Sequence, residues 1–252
     1  MSNIFSIIGT TWDFQKRQPI LVTILFWLII LPLTGTNMVM RFMMSPSGMV
    51  TMNVSPQFII GWLGVILFQL ILLWGIACVL LVGGRLLTSS AGRSRTSFRA
   101  VRSKALEFVI PLFLTGILRT CITFLWTLLF IIPGIIYQIR TTFYVIVTVC
   151  DRTPYRAALT KSKELVHGQT WRVFKYLLGL FIFTFIPAFL LSAVTSFIID
   201  SVDSRFLPVT DLIDGTVNGI ALLFFTLSII ILYRDIQKHP RLVPPPPIEG
   251  TS

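Results

Sequence analysis

Long runs of hydrophobic residues, each near the length of a membrane-crossing helix, alternate along this chain with short stretches rich in arginine and lysine. The first run covers residues 19–40, with Pro32 as its expected kink, and the second covers 58–83. A third, 108–132, passes through Pro133-Gly134 into a fourth, 133–150. The fifth, 173–199, contains Pro187, and the sixth is 216–233. At 1.5 Å per residue, about 20 residues cross a hydrocarbon core of ~30 Å, and each long run suffices. The pattern predicts an all-α, polytopic membrane helix bundle of about six transmembrane helices. Residues 1–239 form a single integral membrane domain. In the tail, 240–252, Pro244 to Pro247 exclude a helix. That tail reads as disordered, with docking to a partner as the alternative.

Two shorter segments are amphipathic rather than apolar. In residues 2–15, Ile4, Phe5, Ile8 and Trp12 recur at helical spacing, which predicts a helix on the membrane interface before the first span. In 153–168, Thr153 offers an N-cap, Pro154 the first helical position, and Gly168 a stop. Tyr155, Ala158, Leu159, Ser162, Leu165 and Val166 share one face; Arg156, Thr160, Lys163, Glu164 and His167 share the other. This second interfacial helix either braces its neighbours or binds anionic head groups, and Trp171 anchors entry to the fifth span.

Composition agrees with the pattern. Of 252 residues, 54% are hydrophobic and only 12% charged, against about 25% charged in soluble domains. The net charge of +11 suggests nucleic acid at first sight, but its placement argues for topology instead. Seventeen basic residues fall before the first run, in the second and fourth connections, and after the sixth run, whereas Arg41 and Arg205 stand alone on the opposite side. Asp200, Asp203, Asp211 and Asp214 lie on that opposite side. The basic side is cytoplasmic by the positive-inside rule, with both chain ends there. The first run is too long for a cleaved signal peptide, and no cleavage motif follows it.

Two arginines fall inside the runs, Arg119 in the third and Arg140 in the fourth. Arginine stays charged, and at mid-membrane it costs ~2.5–3.5 kcal/mol on insertion scales. No aspartate or glutamate lies within the predicted spans to pair with either. With the hairpin turning at Pro133-Gly134, their depths differ by about five residues, or about 7–8 Å, so both can line one polar cavity. The readings are an anion or lipid-phosphate site, or snorkelling to an interface. Arg95, Arg99 and Arg102 would form one stripe if their connection is helical, and Arg156 and Lys163 add to the basic face. These clusters either set topology or bind anionic lipid.

Apart from Met1, every methionine (Met38, Met40, Met43, Met44, Met49, Met52) falls in one stretch on the non-cytoplasmic side. Read as a loop, it offers soft thioethers for copper or silver; it also reads as plain gap-filling. Cys78, Cys121 and Cys150 sit within apolar runs and have no zinc-site spacing. His167 and His239 are far apart in sequence, and no GxSxG, HExxH or phosphate-cradling glycine loop occurs. The expectation is a non-enzyme without cofactor, with membrane lipids as partners, no nucleic acid, and a homo-oligomer or another membrane protein as further partner.

Residues 131–178, IIPGIIYQIRTTFYVIVTVCDRTPYRAALTKSKELVHGQTWRVFKYLL, carry Pro133-Gly134, Arg140, Asp151, Ala158-Leu159, Lys161-Ser162, Gly168 and Trp171. With TWDFQKRQPILVT near the start and ILYRDI near the end, the chain resembles the YciC-type bacterial six-span inner-membrane proteins. These are related to the membrane domain attached to some glycerophosphodiester phosphodiesterases. The resemblance implies a multi-pass protein of the bacterial inner membrane. It implies no phosphodiesterase activity, because that belongs to a separate soluble domain for which this chain has no room. The expected function is a non-enzymatic envelope protein that binds anionic lipid and organises membrane or partner proteins. The alternatives are a transporter or channel for a small anion or lipid, and soft-metal handling at the methionines.

Overall fold

Apolar runs this long have one low-energy backbone in lipid, the helix, because only a helix satisfies every N–H and C=O within the segment. The computed structural model describes residues 4–44, 56–84, 98–202 and 207–238, and these are helical apart from short connections. Six helices are long and apolar enough to cross a membrane: Ile20–Met43, Phe58–Gly83, Phe98–Leu129, Ile131–Cys150, Thr170–Ile199 and Leu207–Lys238. They are called spans one to six. Their mean hydropathy runs from 1.3 in span four to 2.8 in span two.

Spans one, two and six form the packed centre. Leu21, Ile24 and Ile29 of span one, Ala77 and Leu80 of span two, and Leu223, Leu227 and Ile230 of span six are buried together. Glycine permits the close approach: a Cβ on Gly75 would stand 2.5 Å from the Leu28 carbonyl oxygen. Spans three and five are peripheral, with Phe124, Leu128, Phe183 and Phe189 exposed, as lipid-facing side chains are.

Proline acts differently at each site. Pro32 has no N–H to give the Leu28 carbonyl, and the turn before it, Leu25–Ile30, widens into a π-helix. Pro111 and Pro187 stay inside continuous helices.

Several boundaries differ from the sequence reading. Span three starts at Phe98, so Arg99 and Arg102 begin that helix as exposed residues; Arg95 lies outside the described residues. The hairpin between spans three and four reverses at Phe130, whose backbone is extended (φ −154°, ψ 129°), and not at Pro133-Gly134. Pro133-Gly134 instead sits in the first turns of span four, where Gly134 lies directly against Thr127. Span six begins at Leu207, nine residues earlier than expected, and brings Asp211 and Asp214 into a spanning helix. Carboxylates are therefore present within a span, contrary to expectation. The tail 240–252 lies outside the described residues.

The N-terminal helix, Ile4–Arg17, does more than expose an apolar face: it is docked on the bundle. It buries Ile7, Thr11 and Phe14 against the bundle, and the Thr11 and Ser228 hydroxyl oxygens are 3.2 Å apart. Trp12 is left exposed beside an apolar cavity of about 650 Å³ that Phe183, Pro187, Ile220 and Phe224 also line.

Residues 155–166 form the predicted bridge helix, Tyr155–Val166, burying Ala158, Leu159, Ser162 and Val166. Its start departs from expectation. Thr153 caps nothing; Arg152 and Tyr155 both take left-handed backbones (φ 54° and 60°), and the Tyr155 N–H donates to Thr115 Oγ1 at 2.9 Å. That geometry turns Tyr155 outward and off the buried face. Gly168 ends the segment at φ 74°, as its lack of Cβ allows.

Candidate functional site: a broken fourth span and its cations

Span four is two helices, Ile131–Arg140 and Tyr144–Cys150, separated by a turn at Thr141, Thr142 and Phe143. A break in apolar surroundings leaves orphan carbonyls and N–H groups, and each needs a partner. Arg119 supplies the first. With the hairpin reversing at Phe130, Arg119 stands eleven residues before the turn and Arg140 ten after, so they are level rather than offset. The Arg119 Nε–H donates to Thr141 Oγ1 at 2.9 Å, and its Nη2 donates to the Gln138 carbonyl at 3.0 Å. Its guanidinium also lies 5.1 Å from the centre of the Tyr144 ring. A cation here opposes the partial negative charge of the first half-helix's C-terminus.

Ser162 of the bridge helix supplies the rest. Its hydroxyl donates to the Arg140 carbonyl at 2.9 Å and accepts from the Phe143 N–H at 3.2 Å. Ser162 is fully buried, and one hydroxyl thus serves both sides of the break. The end of span four is fixed by Asp151, which takes Lys161 at 2.8 Å and the Tyr233 hydroxyl at 3.0 Å.

Arg140, Arg156 and Lys163 are left less committed. Arg140 donates one bond, from Nε to Thr170 Oγ1 at 3.3 Å. Lys163 sits 4.4 Å from the centre of the Tyr137 ring. Among the described residues, no carboxylate forms an ion pair with Arg119, Arg140, Arg156 or Lys163. Burial lowers the Lys163 pKa, and the charges of Arg156 and Arg140 lower it further. Both arginines are therefore near enough to Lys163 for their charges to repel it.

Beside them, a cavity of about 320 Å³ is bounded by Gly168, Gln169, Trp171, Arg172, Lys175 and Tyr176. Trp171 is exposed and stacks on Phe174, with Lys175 5.7 Å from its ring centre. Arg172 is held by Asp235 at 3.5 Å. The combination of exposed tryptophan and cations is that of a membrane interface.

Arg119 and Arg140 thus meet at one level but do different things, and Arg156 and Lys163 join Arg140. Arg99 and Arg102 stand on the helix that opens span three, where the Arg102 carbonyl accepts from Trp74 Nε1 at 3.0 Å. The methionines do not form a loop as a group. Met38, Met40, Met43 and Met44 belong to the helix Leu31–Met44, and Met43 packs its thioether against Gly61. Met49 and Met52 lie outside the described residues. Sequence reasoning missed Thr141 and Ser162; two adjacent threonines within an apolar run and a serine on a buried face were the available signals.

These features define a multi-pass integral membrane protein of six helices. Compared with family models, curated proteins and solved structures, the chain matches none.

Proposed function

We propose that this is a non-enzymatic membrane protein of the bacterial inner membrane that holds an anionic lipid head group at Arg140, Arg156 and Lys163. The observation that carries this reading is that the Ser162–Arg140 bond sets the helix bearing Arg156 and Lys163 beside Arg140, and that among the described residues no carboxylate pairs with any of the three. A phosphate removes their mutual repulsion, with the Arg140 guanidinium offering a planar fork and Lys163 a point charge. Each basic residue near an anionic surface contributes ~1 kcal/mol. Arg119 is assigned to the broken helix and not to the ligand. Arg95, Arg99 and Arg102 fall to the general basic face, and the resemblance to YciC-type proteins supports the inner-membrane location but supplies no activity.

The test is native mass spectrometry of the purified protein with phosphatidylglycerol and with phosphatidylcholine, beside Arg140→Gln/Lys163→Gln. Phosphatidylglycerol is retained by the wild type, and the double variant holds it at least ~10-fold more weakly. Equal retention by both proteins ends this reading.

Transport of a small anion or lipid is the second reading, and the discontinuity of span four favours it, since broken helices often flank substrate sites in transporters. Here Arg119 and Ser162 already take up the Gln138 and Arg140 carbonyls and the Phe143 N–H, which argues for a fixed break. Lipid or anion flux in proteoliposomes decides between the two.

A further inference from the structure

The N-terminal helix turns two stripes toward the bundle, and only one of them closes on it. Ile7, Thr11 and Phe14 are buried, with Thr11 Oγ1 standing 3.2 Å from Ser228 Oγ of span six. The adjoining stripe, Ile8, Trp12 and Gln15, is one wall of the apolar cavity of about 650 Å³. Span five adds Phe183, Pro187 and Leu191, and span six adds Val217, Ile220 and Phe224, each set at the spacing of one helix face. Phe183 and Phe224 lie about 20 Å along their helices from the basic end, and Leu191 and Val217 about 32 Å. The walls therefore meet at matching depths. Ser228 is one turn nearer the basic end than Phe224, so the N-terminal helix roofs the cavity from that side. Sideways the cavity is open: Trp12, Phe183, Leu191 and Ile220 are each about half exposed.

The chemistry of the walls selects the occupant. Water suits the space poorly, since it needs about two to four polar partners, and the lining offers only the Trp12, Gln15 and Thr184 side chains. The volume lies within the range of about 300–1,000 Å³ that small-molecule sites occupy. Gly9 also lines it, and a Cβ there would meet nothing within 4 Å. The roof changes character along its length. One turn beyond Trp12, Lys16 holds its ammonium 5.1 Å from the centre of the Trp12 ring, and Arg17 follows it. Among the described residues neither cation is in an ion pair, and Asp13 is the only acidic residue on the helix, so positive charge is in excess. An apolar floor with a cationic rim complements an amphiphile whose head is anionic.

We propose that this cavity holds an acyl chain of an anionic phospholipid, with the lipid's phosphate at Lys16 and Arg17. The chain lies under the N-terminal helix, against Gly9 and Trp12 and between spans five and six. Hydrocarbon fills the apolar walls, the two cations supply attraction to the phosphate, and Trp12 stands between them as tryptophan does at a membrane interface. The site shares no residue with Arg140, Arg156 and Lys163, so either can fail without the other.

The test is tryptophan fluorescence of the full chain in phosphatidylcholine vesicles. Phosphatidylglycerol brominated on its acyl chains is titrated in, with brominated phosphatidylcholine in parallel. Bromine quenches a tryptophan it touches, and subtracting the signal of Trp12→Phe isolates Trp12. Quenching of Trp12 saturates with brominated phosphatidylglycerol and needs about ten-fold more brominated phosphatidylcholine. Lys16→Gln weakens the phosphatidylglycerol effect by about five-fold, the share of one charge. Gly9→Leu fills the open space and weakens it ten-fold or more, with the melting temperature unchanged or raised. Quenching that rises in proportion to either bromolipid alike overturns the proposal, as does a saturable component that survives Gly9→Leu. Arg140→Gln/Lys163→Gln leaves Trp12 quenching as it was; its loss there overturns the separate site. If neither bromolipid reaches Trp12 and the chain is a dimer by native mass spectrometry, a second copy covers the cavity and the proposal is equally overturned.

Discussion

At the break in span four, polar backbone lies in apolar surroundings, and side chains take up part of what it frees: Arg119 on the Gln138 carbonyl and the Thr141 hydroxyl, Ser162 on the Arg140 carbonyl and the Phe143 N–H. What remains over is positive charge, on Arg140, Arg156 and Lys163. Where spans one and six meet, the backbone is unbroken helix beyond the π-turn, but the side chains are incompletely paired: Arg41 takes Asp211 at 2.8 Å, and an oxygen of Asp214 is shielded without accepting a hydrogen bond. The difference teaches that polar residues in the bundle fall into two kinds. Some repair the backbone; others keep unused capacity, and those are the candidates for binding a ligand.

The sharpest way to break this comparison is to remove a repairing residue. Arg119→Leu strips a charged donor from the buried Thr141 hydroxyl and from the Gln138 carbonyl, and we expect a loss of about 3 kcal/mol. Arg119→Lys recovers less than half, because one ammonium does not fork between Thr141 and Gln138. Arg140→Leu, measured in the same denaturation assay without added lipid, costs under ~1 kcal/mol. Equal losses at the two arginines would erase the distinction between saturated and unused cations.

At the other end, Gly215→Val forces a side chain into the Thr34 backbone and hydroxyl and costs about 2–3 kcal/mol. Gly9→Ala, where nothing approaches within 4 Å, is the control and is neutral or stabilising in the same melt. Ser162→Ala ranks third. It orphans the Arg140 carbonyl and the Phe143 N–H, at about 1–2 kcal/mol, and hydrogen exchange at Phe143 rises with it.

The smallest effect is in pH. Because the Lys163 pKa is lowered in the fold, the unfolded chain binds more protons between that lowered value and the usual lysine range. Stability therefore rises with pH through that window. Lys163→Gln flattens the rise, and so does phosphatidylglycerol, whose phosphate draws the pKa back up. A rise unchanged by both would mean that Lys163 does not face the lipid.

Much of this was legible in the chain. Six spans, a paired third and fourth, the bridge helix with its Ala158, Leu159, Ser162 and Val166 face, and its stop at Gly168 all follow from periodicity and local backbone preference. The level of Arg119 with Arg140 did not, because Pro133-Gly134 looks like a turn. Proline, though, is tolerated in the first turn of a helix, and the reversal falls at Phe130. Nor was the burial of Thr11 and Phe14 legible, since the N-terminal helix has apolar residues on more than one face and only docking selects between them. Asp211 and Asp214 were read as lying outside a span, although the helix continues through them once Arg41 is there to pair.

By itself the sequence determined that this chain is helical, crosses a membrane six times and carries its positive charge at one end. Hydrocarbon leaves the backbone no alternative to the helix, and hydropathy and charge are properties of residues in order. Only the tertiary structure decided which cation is spent and which is free. That depends on what stands within about 3 Å of each guanidinium or carboxylate, and Arg119 and Thr141, like Thr34 and Gly215, are brought together by packing between helices far apart in the chain.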